Sequence, residues 1–165
     1  MTRVSNLEAQ FNRTHISIRD FEEAQEYLRS YRQRYRGVTR RALLLAAIVS
    51  YCRPFTRNKG GKECQTTPSL SSLVLDILTP AERSLHKDLL LLRHEALAHS
   101  DFNRKPTRRT ESRRTGFSVK SKPFDLLSEQ IDVAAFRRMC GRMAQHCRNV
   151  LFDLNKQSQA HEAVT

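Results

Sequence analysis

The stretch RRALLLAAIVSYC, residues 40–52, decides the fold because it contains the longest apolar run of the chain, Ala42–Val49. Eight consecutive apolar residues leave no polar face over two helical turns, so we expect this segment to be the most buried helix of the protein. Pro54 is expected to end it. Since a membrane-spanning helix needs about 20 apolar residues, the run predicts a core helix in a cytosolic protein that has no membrane partner.

The sequence before this segment predicts an amphipathic helix over residues 17–36, with Ser17 as its N-cap. Gly37 separates the two helices. The core positions of the first helix, at helical spacing, are expected to be Phe21, Leu28, Tyr31 and Tyr35. Because the connection between the two helices is short, antiparallel packing is expected.

Two more long helices are expected after a polar loop over residues 55–68 and a short helix over residues 69–78. The first of them begins with TPAE, residues 79–82, a capping box with proline at the first helical position, and is expected to run to His99. Its apolar stripe consists of Leu85, Leu89, Leu92 and Ala96. The second is expected over residues 132–156. Its expected core positions are Val133, Phe136, Met139 or Cys140, Met143, Cys147, Val150 and Leu154.

Together these segments predict an all-α fold, an up-and-down helical bundle of four to five helices. No internal repeat is apparent, so residues 1–156 are expected to form a single domain. A basic loop is expected over residues 100–123, and weak alternation over residues 117–127 predicts a short β-hairpin in this region. Residues 157–165 are expected to be a frayed C-terminal tail.

The charge of the chain is +12, from 29 Lys and Arg against 17 Asp and Glu, and it is concentrated in two segments. Residues 29–41 hold six Arg and no acidic residue, and residues 103–122 hold eight basic residues against Glu111 alone. Charge of this size favours a polyanionic partner, and we expect nucleic acid or an anionic surface. Solvated charge on a helix face and a loop is the simpler alternative, and the sequence leaves it open.

The segment LRHEALAHSD, residues 92–101, carries the pattern with the most chemical content. Arg93 is followed by a polar residue, His94, and His99 comes after five intervening positions. This arrangement resembles the motif of the HEPN superfamily, small all-helical proteins of which many are RNases in toxin and abortive-infection systems. The Ala-His-Ser-Asp ending looks like the abortive-infection branch of that family.

The resemblance implies a metal-independent endoribonuclease that acts as a homodimer, with paired motifs lining a shared groove. His99 would act as general base or acid and Arg93 would stabilise charge on the phosphoryl oxygens. Glu95, one turn before His99, is expected to orient the imidazole, and His94 either positions substrate or faces solvent. The residues expected to hold the RNA backbone are Arg104, Lys105, Arg108, Arg109, Arg113 and Arg114. An antitoxin or another regulatory partner is a further expectation from the family.

Helix geometry limits how the motif can work within one chain. Six residues on an ideal helix separate Arg93 and His99 by about 120° and about 9 Å along the axis. Either the last turn unwinds near Ala98 or two chains contribute to one cleft, and the resemblance favours the dimer. Some toxin members of the family carry a Tyr modification site where this chain has Asp101, so regulation by nucleotide addition is not expected here.

The sequence also leaves non-catalytic functions open. The main alternative is a HEPN-like dimeric module that binds RNA or a nucleotide without cleaving it, and DNA binding and a structural interaction module are two others. We predict no metal and no other cofactor, because Cys140, His146 and Cys147 lie on one helix without a second pair of ligands at a known spacing. The thiols expected to be reduced are Cys52, Cys64, Cys140 and Cys147.

Overall fold

The computed structural model describes residues 6–56, 69–70, 72–94, 107–112, 116–121 and 124–162. Within these residues the α-helices are α1 (Asn6–Ser30), α2 (Gly37–Cys52), α3 (Pro80–Leu92) and α4 (Val133–Glu162). Two strands, β1 (Thr107–Ser112) and β2 (Gly116–Ser121), pair as an antiparallel hairpin. Shorter 3-10 helices cover Arg53–Phe55, Ser72–Ile77 and Leu126–Ser128. The predicted all-α bundle is confirmed.

Helices α1 and α4 form the main pair of the bundle and run antiparallel. Gln25 of α1 donates a hydrogen bond to the backbone carbonyl of Arg137, near the start of α4, at 3.3 Å. Three residues earlier on α1, Glu22 accepts from Arg148, eleven residues further along α4. Helix α2 also packs against α1, and its Tyr51 reaches α4, where the Tyr51 and Phe136 ring centroids lie 5.2 Å apart.

Helix α1 differs from its predicted bounds at both ends. It already includes Asn6 and it ends at Ser30, so the prediction that Ser17 caps it is wrong. Ser17 is buried inside the helix, and its hydroxyl donates to the carbonyl of Arg13 at 2.7 Å, the back-bonding that serine makes within helices. The chain turns over residues 31–36, and Tyr35, predicted to be a core residue, is 37% exposed. Turning there lets α2 bury its apolar surface, which outweighs the gain from extending α1.

The core combines aliphatic, aromatic and sulfur-containing side chains from all four helices. The fully buried members with the largest side chains include Phe21, Leu28, Ile48, Tyr51, Leu89, Phe136, Met139 and Met143. Three cysteines, Cys52, Cys140 and Cys147, are buried free thiols, and burial raises the pKa of Cys52 and of Cys147 to about 12. These thiols are therefore protonated at neutral pH and serve as small apolar groups.

Helix α3 begins as the sequence predicts. The Thr79 hydroxyl accepts the backbone N–H of Glu82 at 3.3 Å, and the Glu82 carboxylate accepts the backbone N–H of Thr79 at 2.9 Å. Glu82 also accepts from Arg142 of α4 at 2.8 Å, so the same carboxylate caps α3 and ties it to α4. Regular α-helical geometry ends at Leu92, earlier than the predicted end at His99, which lies outside the described residues.

Helix α4 begins at Val133, where Asp132 accepts the backbone N–H of Ala135 at 2.9 Å as an N-cap. The helix continues to Glu162, beyond the predicted end at Lys156, so the predicted frayed tail is helical over its first six residues. Of the core positions predicted for α4, Phe136, Met139, Cys140, Met143 and Cys147 are buried, and Val133, Val150 and Leu154 are half-buried.

The hairpin lies within the predicted basic loop and begins ten residues before the segment whose alternation suggested it. Arg108 of β1 pairs with Lys120 of β2, and Arg109 pairs with Val119.

Most of the predicted polar loop over residues 55–68 lies outside the described residues, Cys64 included. In the part of the chain that is described, every helix is too short or too polar to cross a membrane.

Replacing Thr79 with Ala should lower the free energy of unfolding by about 1 kcal/mol, because the first turn of α3 loses its capping hydroxyl. Urea denaturation of the variant and of the parent protein measures this difference. Ser84→Ala is the matched control, since Ser84 is exposed within the same helix and its loss should change stability by less than about 0.5 kcal/mol. Equal effects of the two substitutions would contradict the role assigned to the cap.

Candidate functional site

A buried contact between two polar aromatic side chains, Tyr51 and His86, sets the rotation of α3 about its own axis. The Tyr51 hydroxyl and His86 Nδ1 lie 2.9 Å apart, and His86 is 6% exposed. The His86 ring also packs edge-on against Phe55, with ring centroids 4.7 Å apart. Phe136 of α4 packs edge-on against Tyr51 at 5.2 Å, so this contact joins α2, α3 and α4.

Both members of the pair are neutral near neutral pH. Burial lowers the pKa of His86, and the nearby Lys87 charge lowers it further. Burial likewise raises the pKa of the Tyr51 phenol far above its usual range. The phenol and the neutral imidazole each carry one donor and one acceptor, so the imidazole tautomer sets the direction of the hydrogen bond between them. The Tyr51 hydroxyl also lies within donating distance of Met139 Sδ, at 3.7 Å. Sequence reasoning missed His86, although it lies three residues before Leu89 of the apolar stripe and therefore shares its face.

Arg93 follows His86 by seven residues and therefore lies within about 20° of the same helical face. It is half-buried, and its positive charge lowers the pKa of the Cys52 thiol, although burial raises that pKa more strongly. The Cys52 thiol in turn donates to the backbone carbonyl of Leu89 at 3.7 Å. Arg93 thus lies beside the C-terminal end of α2, on the inward face of α3.

The chain leaves α-helical geometry at the motif itself. Arg93 is the C-cap of α3, with φ −60° and ψ −43° and its backbone N–H donating to the Leu89 carbonyl. It begins a π turn that includes His94, which is exposed. Single π turns inside helices occur frequently at functional sites, because the wider turn redirects side chains. The described part of α3 therefore changes its helical geometry at the first two residues of the motif, Arg93 and His94.

The structure describes only part of the predicted site. Arg93 and His94 lie side by side at the end of α3, and Arg108 and Arg109 are neighbours on β1. The remaining predicted catalytic, supporting and RNA-contacting residues lie outside the described residues: Glu95, His99, Arg104, Lys105, Arg113 and Arg114.

The first basic segment, residues 29–41, forms an exposed connection that we call the arginine turn. It covers the last residues of α1, the turn and the first residues of α2, and all its arginines except the half-buried Arg40 are exposed. The Arg34 guanidinium carbon lies 5.9 Å from the centre of the Tyr35 ring, and that of Arg40 lies 5.3 Å from the centre of the Tyr31 ring. The turn therefore presents guanidinium groups together with aromatic faces, the combination used by single-strand binders.

A second cluster of charged side chains was not anticipated from the sequence. Arg13 is 4% exposed and donates to the carbonyl of Arg53 at 2.6 Å, satisfying a backbone acceptor just after the end of α2. The Arg53 side chain reaches Asp20 at 3.3 Å and Glu23 at 2.6 Å, and Ser50 donates to Glu23 at 2.8 Å. Burial raises the pKa of Asp20, and the hydrogen bond and charge of Arg53 oppose that rise. This cluster fastens the end of α2 to the middle of α1.

The described residues contain no group of three or more His, Cys, Asp and Glu side chains that could hold a metal ion. Comparison of the chain with protein-family models, with curated proteins and with solved structures finds no match.

The buried His86 should make stability fall as the pH falls below about 6.5. The unfolded chain binds a proton on this imidazole in that range while the folded protein, in which the pKa of His86 is lowered, does not. The free energy of unfolding should fall by up to about 1.4 kcal/mol per pH unit between the unfolded and the folded pKa values. Urea denaturation between pH 5 and 8 measures the slope.

The difference between two variants isolates the contribution of His86. His86→Gln should flatten the dependence in this range, whereas His15→Gln, which replaces an exposed histidine of α1, should keep it. If the slope survived in His86→Gln, burial of the neutral imidazole would not be its source.

Proposed function

We propose that this protein binds RNA and cleaves it without a metal ion, as an endoribonuclease of the HEPN type. The observation that carries the proposal is the position of Arg93, which lies half-buried beside the end of α2, where α3 changes to π-helical geometry. The planar fork of an arginine loses less conformational freedom for each hydrogen bond to phosphate than the flexible ammonium of a lysine. The net charge of +12 supports a polyanionic substrate.

In the proposed reaction the ribose 2′-hydroxyl attacks the adjacent phosphorus. His99 acts as the base that takes the hydroxyl proton, or as the acid that protonates the departing 5′-oxygen, and imidazole suits either role because its ordinary pKa is about 6.5. Arg93 stabilises the negative charge that develops on the non-bridging oxygens. A new bond forms from the 2′-oxygen to phosphorus and the bond to the 5′-oxygen breaks, which yields a 2′,3′-cyclic phosphate and a 5′-hydroxyl.

The active species in this proposal is a homodimer. Arg93 and His99 point about 120° apart on an ideal helix, so a single straight helix does not bring both to one phosphate. In a twofold dimer the arginine of one chain and the histidine of the other act on the same phosphate.

RNA binding without cleavage is the second candidate, and the arginine turn favours it. Arg40 lies near the start of α2 and Cys52 at its end, about 18 Å apart along the helix axis. Because Arg93 lies beside Cys52, the most basic described surface is remote from the motif and is able to hold RNA without it. Cleavage assays separate the two candidates.

Purified protein incubated with mixed-sequence RNA in EDTA should produce fragments ending in a cyclic phosphate. Arg93→Ala should slow this cleavage by about 10²–10³-fold, through loss of charge stabilisation. His99→Ala should slow it by about 10²–10⁴-fold, through loss of acid–base catalysis. Single-turnover rates, measured with protein in excess over labelled RNA, report these losses.

Lys87→Ala is the control for the loss of a cation from α3, because Lys87 is exposed one and a half turns before the motif. Arg93→Lys tests whether the fork of two N–H groups matters beyond the charge, and it should restore only part of the rate. If the parent protein and all variants bound RNA equally and none cleaved it, the binding module would replace the enzyme.

Mixing the two inactive variants tests the dimer. If each site uses Arg93 of one chain and His99 of the other, a mixed dimer of Arg93→Ala and His99→Ala retains one complete site out of two. After subunit exchange the mixture should recover about one quarter of the parental activity. No recovery in a mixture shown by mass measurement to contain mixed dimers would contradict a shared site.

A further inference from the structure

A groove lies beside the arginine turn, at the end of the bundle where α1 ends and both α2 and α4 begin. Its volume is about 620 Å³. Three arginines from three different elements line it: Arg32 from the turn, Arg40 from α2 and Arg137 from α4. A cavity lined by arginines from separate elements is suited to a phosphate, which accepts hydrogen bonds from several directions. We call this cavity the arginine groove.

The lining of the groove remains net positive when its carboxylates are counted. Glu129 and Asp132 also line it. Asp132 is committed to the start of α4, because its carboxylate accepts the backbone N–H of Ala135 at 2.9 Å. The arginine turn, which supplies Arg32 and Arg40, carries four further arginines and no acidic residue. An anion in the groove therefore meets an excess of positive charge.

The guanidinium of Arg40 is held in place before any ligand binds, and for Arg137 it is the backbone that is fixed. Nη2 and Nε of Arg40 donate to the Tyr31 hydroxyl at 2.8 and 3.3 Å. The backbone of Arg137 is fixed to α1, because its carbonyl accepts from Gln25 at 3.3 Å. A preorganised site loses less side-chain entropy on binding, so these contacts favour a specific ligand over diffuse counterions.

The groove is connected to the end of the motif helix. Glu129, Gln130 and Ile131 line the arginine groove, and the same three residues line a second cavity of about 280 Å³. The other wall of that second cavity belongs to α3 and includes Leu92, the residue directly before Arg93. The two cavities therefore adjoin along residues 129–131, which form a common wall between the end of α3 and the groove.

We propose that the arginine groove binds a backbone phosphate of the same RNA strand that is cleaved, at a position several nucleotides from the scissile bond. This inference rests on the proposed function, because it assumes that RNA is the substrate. It assigns Arg32, Arg40 and Arg137 to substrate binding, and it assigns none of them a chemical step. In this proposal a single RNA strand contacts both the catalytic motif and the arginine groove.

Two double variants that remove the same charge test the groove. Arg40→Gln with Arg137→Gln removes two groove arginines, and Arg41→Gln with Arg138→Gln removes the exposed neighbour of each on the same helix. The probe is a fluorescent 20-nucleotide single strand with 2′-O-methyl riboses, which lacks the attacking hydroxyl and stays intact. Fluorescence anisotropy at several salt concentrations gives the dissociation constant and its salt dependence.

Loss of two phosphate contacts to a single strand should make the slope of log K against log salt shallower by about 1.4. The same relation predicts about 25-fold weaker binding at 0.1 M salt for the groove variant. The neighbour variant, whose arginines are solvated, should change the slope by less than half as much. Equal changes in the two variants would overturn the groove and leave only diffuse attraction.

Further measurements separate this inference from the proposed function. Because Arg40 also bonds Tyr31, Arg32→Gln with Arg137→Gln serves as a second groove variant. It is compared with Arg19→Gln plus Arg138→Gln, two exposed arginines outside the arginine turn, and thermal melts verify folding. If the parent protein does not bind the strand at all, both the groove and the proposed function fail. If the parent binds and cleaves RNA in an Arg93-dependent way but the groove and neighbour variants bind alike, only the groove fails.

Discussion

The contact between Tyr51 and His86 is the interaction on which the arrangement of the candidate site depends. Helix α3 is short and has fewer neighbours than the pair formed by α1 and α4, so its rotation is set by the few side chains it buries. The hydrogen bond between Tyr51 and His86 and the edge-on packing of His86 against Phe55 turn the His86 face of α3 into the core. Since Arg93 follows His86 by nearly two full turns, the same rotation turns Arg93 inward, towards the end of α2.

The charges of this basic protein are divided between holding the bundle together and leaving one surface open to anions. Three arginines outside the basic segments pair with carboxylates across helices: Arg142 with Glu82, Arg148 with Glu22 and Arg53 with Asp20 and Glu23. Residues 29–41 contain no carboxylate of their own, and the described fold exposes most of their arginines at one end of the bundle. Repulsion within such a segment costs stability, which is compatible with a function that requires the charge.

Local signals in the sequence predicted the features that depend on local physics. The capping box at Thr79 and Glu82 needs only four consecutive residues, and it forms as expected. The apolar run in α2 and the spacing of apolar residues in α4 identified buried helices, because burial of one face follows from periodicity. The similar cap-like signal at Ser17 failed, since its hydroxyl is equally able to bond the carbonyl of Arg13 inside a longer helix. A local pattern decides an outcome only when the same groups have no other partner within reach, and for Ser17 that partner is a carbonyl of its own helix.

The sequence by itself determined the helical class, the start of α3, the buried thiols and the concentration of positive charge, because each follows from residue type and near-neighbour spacing. Only the tertiary structure decided that His86 is a core residue, that Arg13 is buried at the end of α2, and that Arg32, Arg40 and Arg137 line one groove. Arg40 and Arg137 are almost one hundred positions apart in the chain. No short-range pattern encodes their proximity, because it arises from the packing of α1 against both α2 and α4.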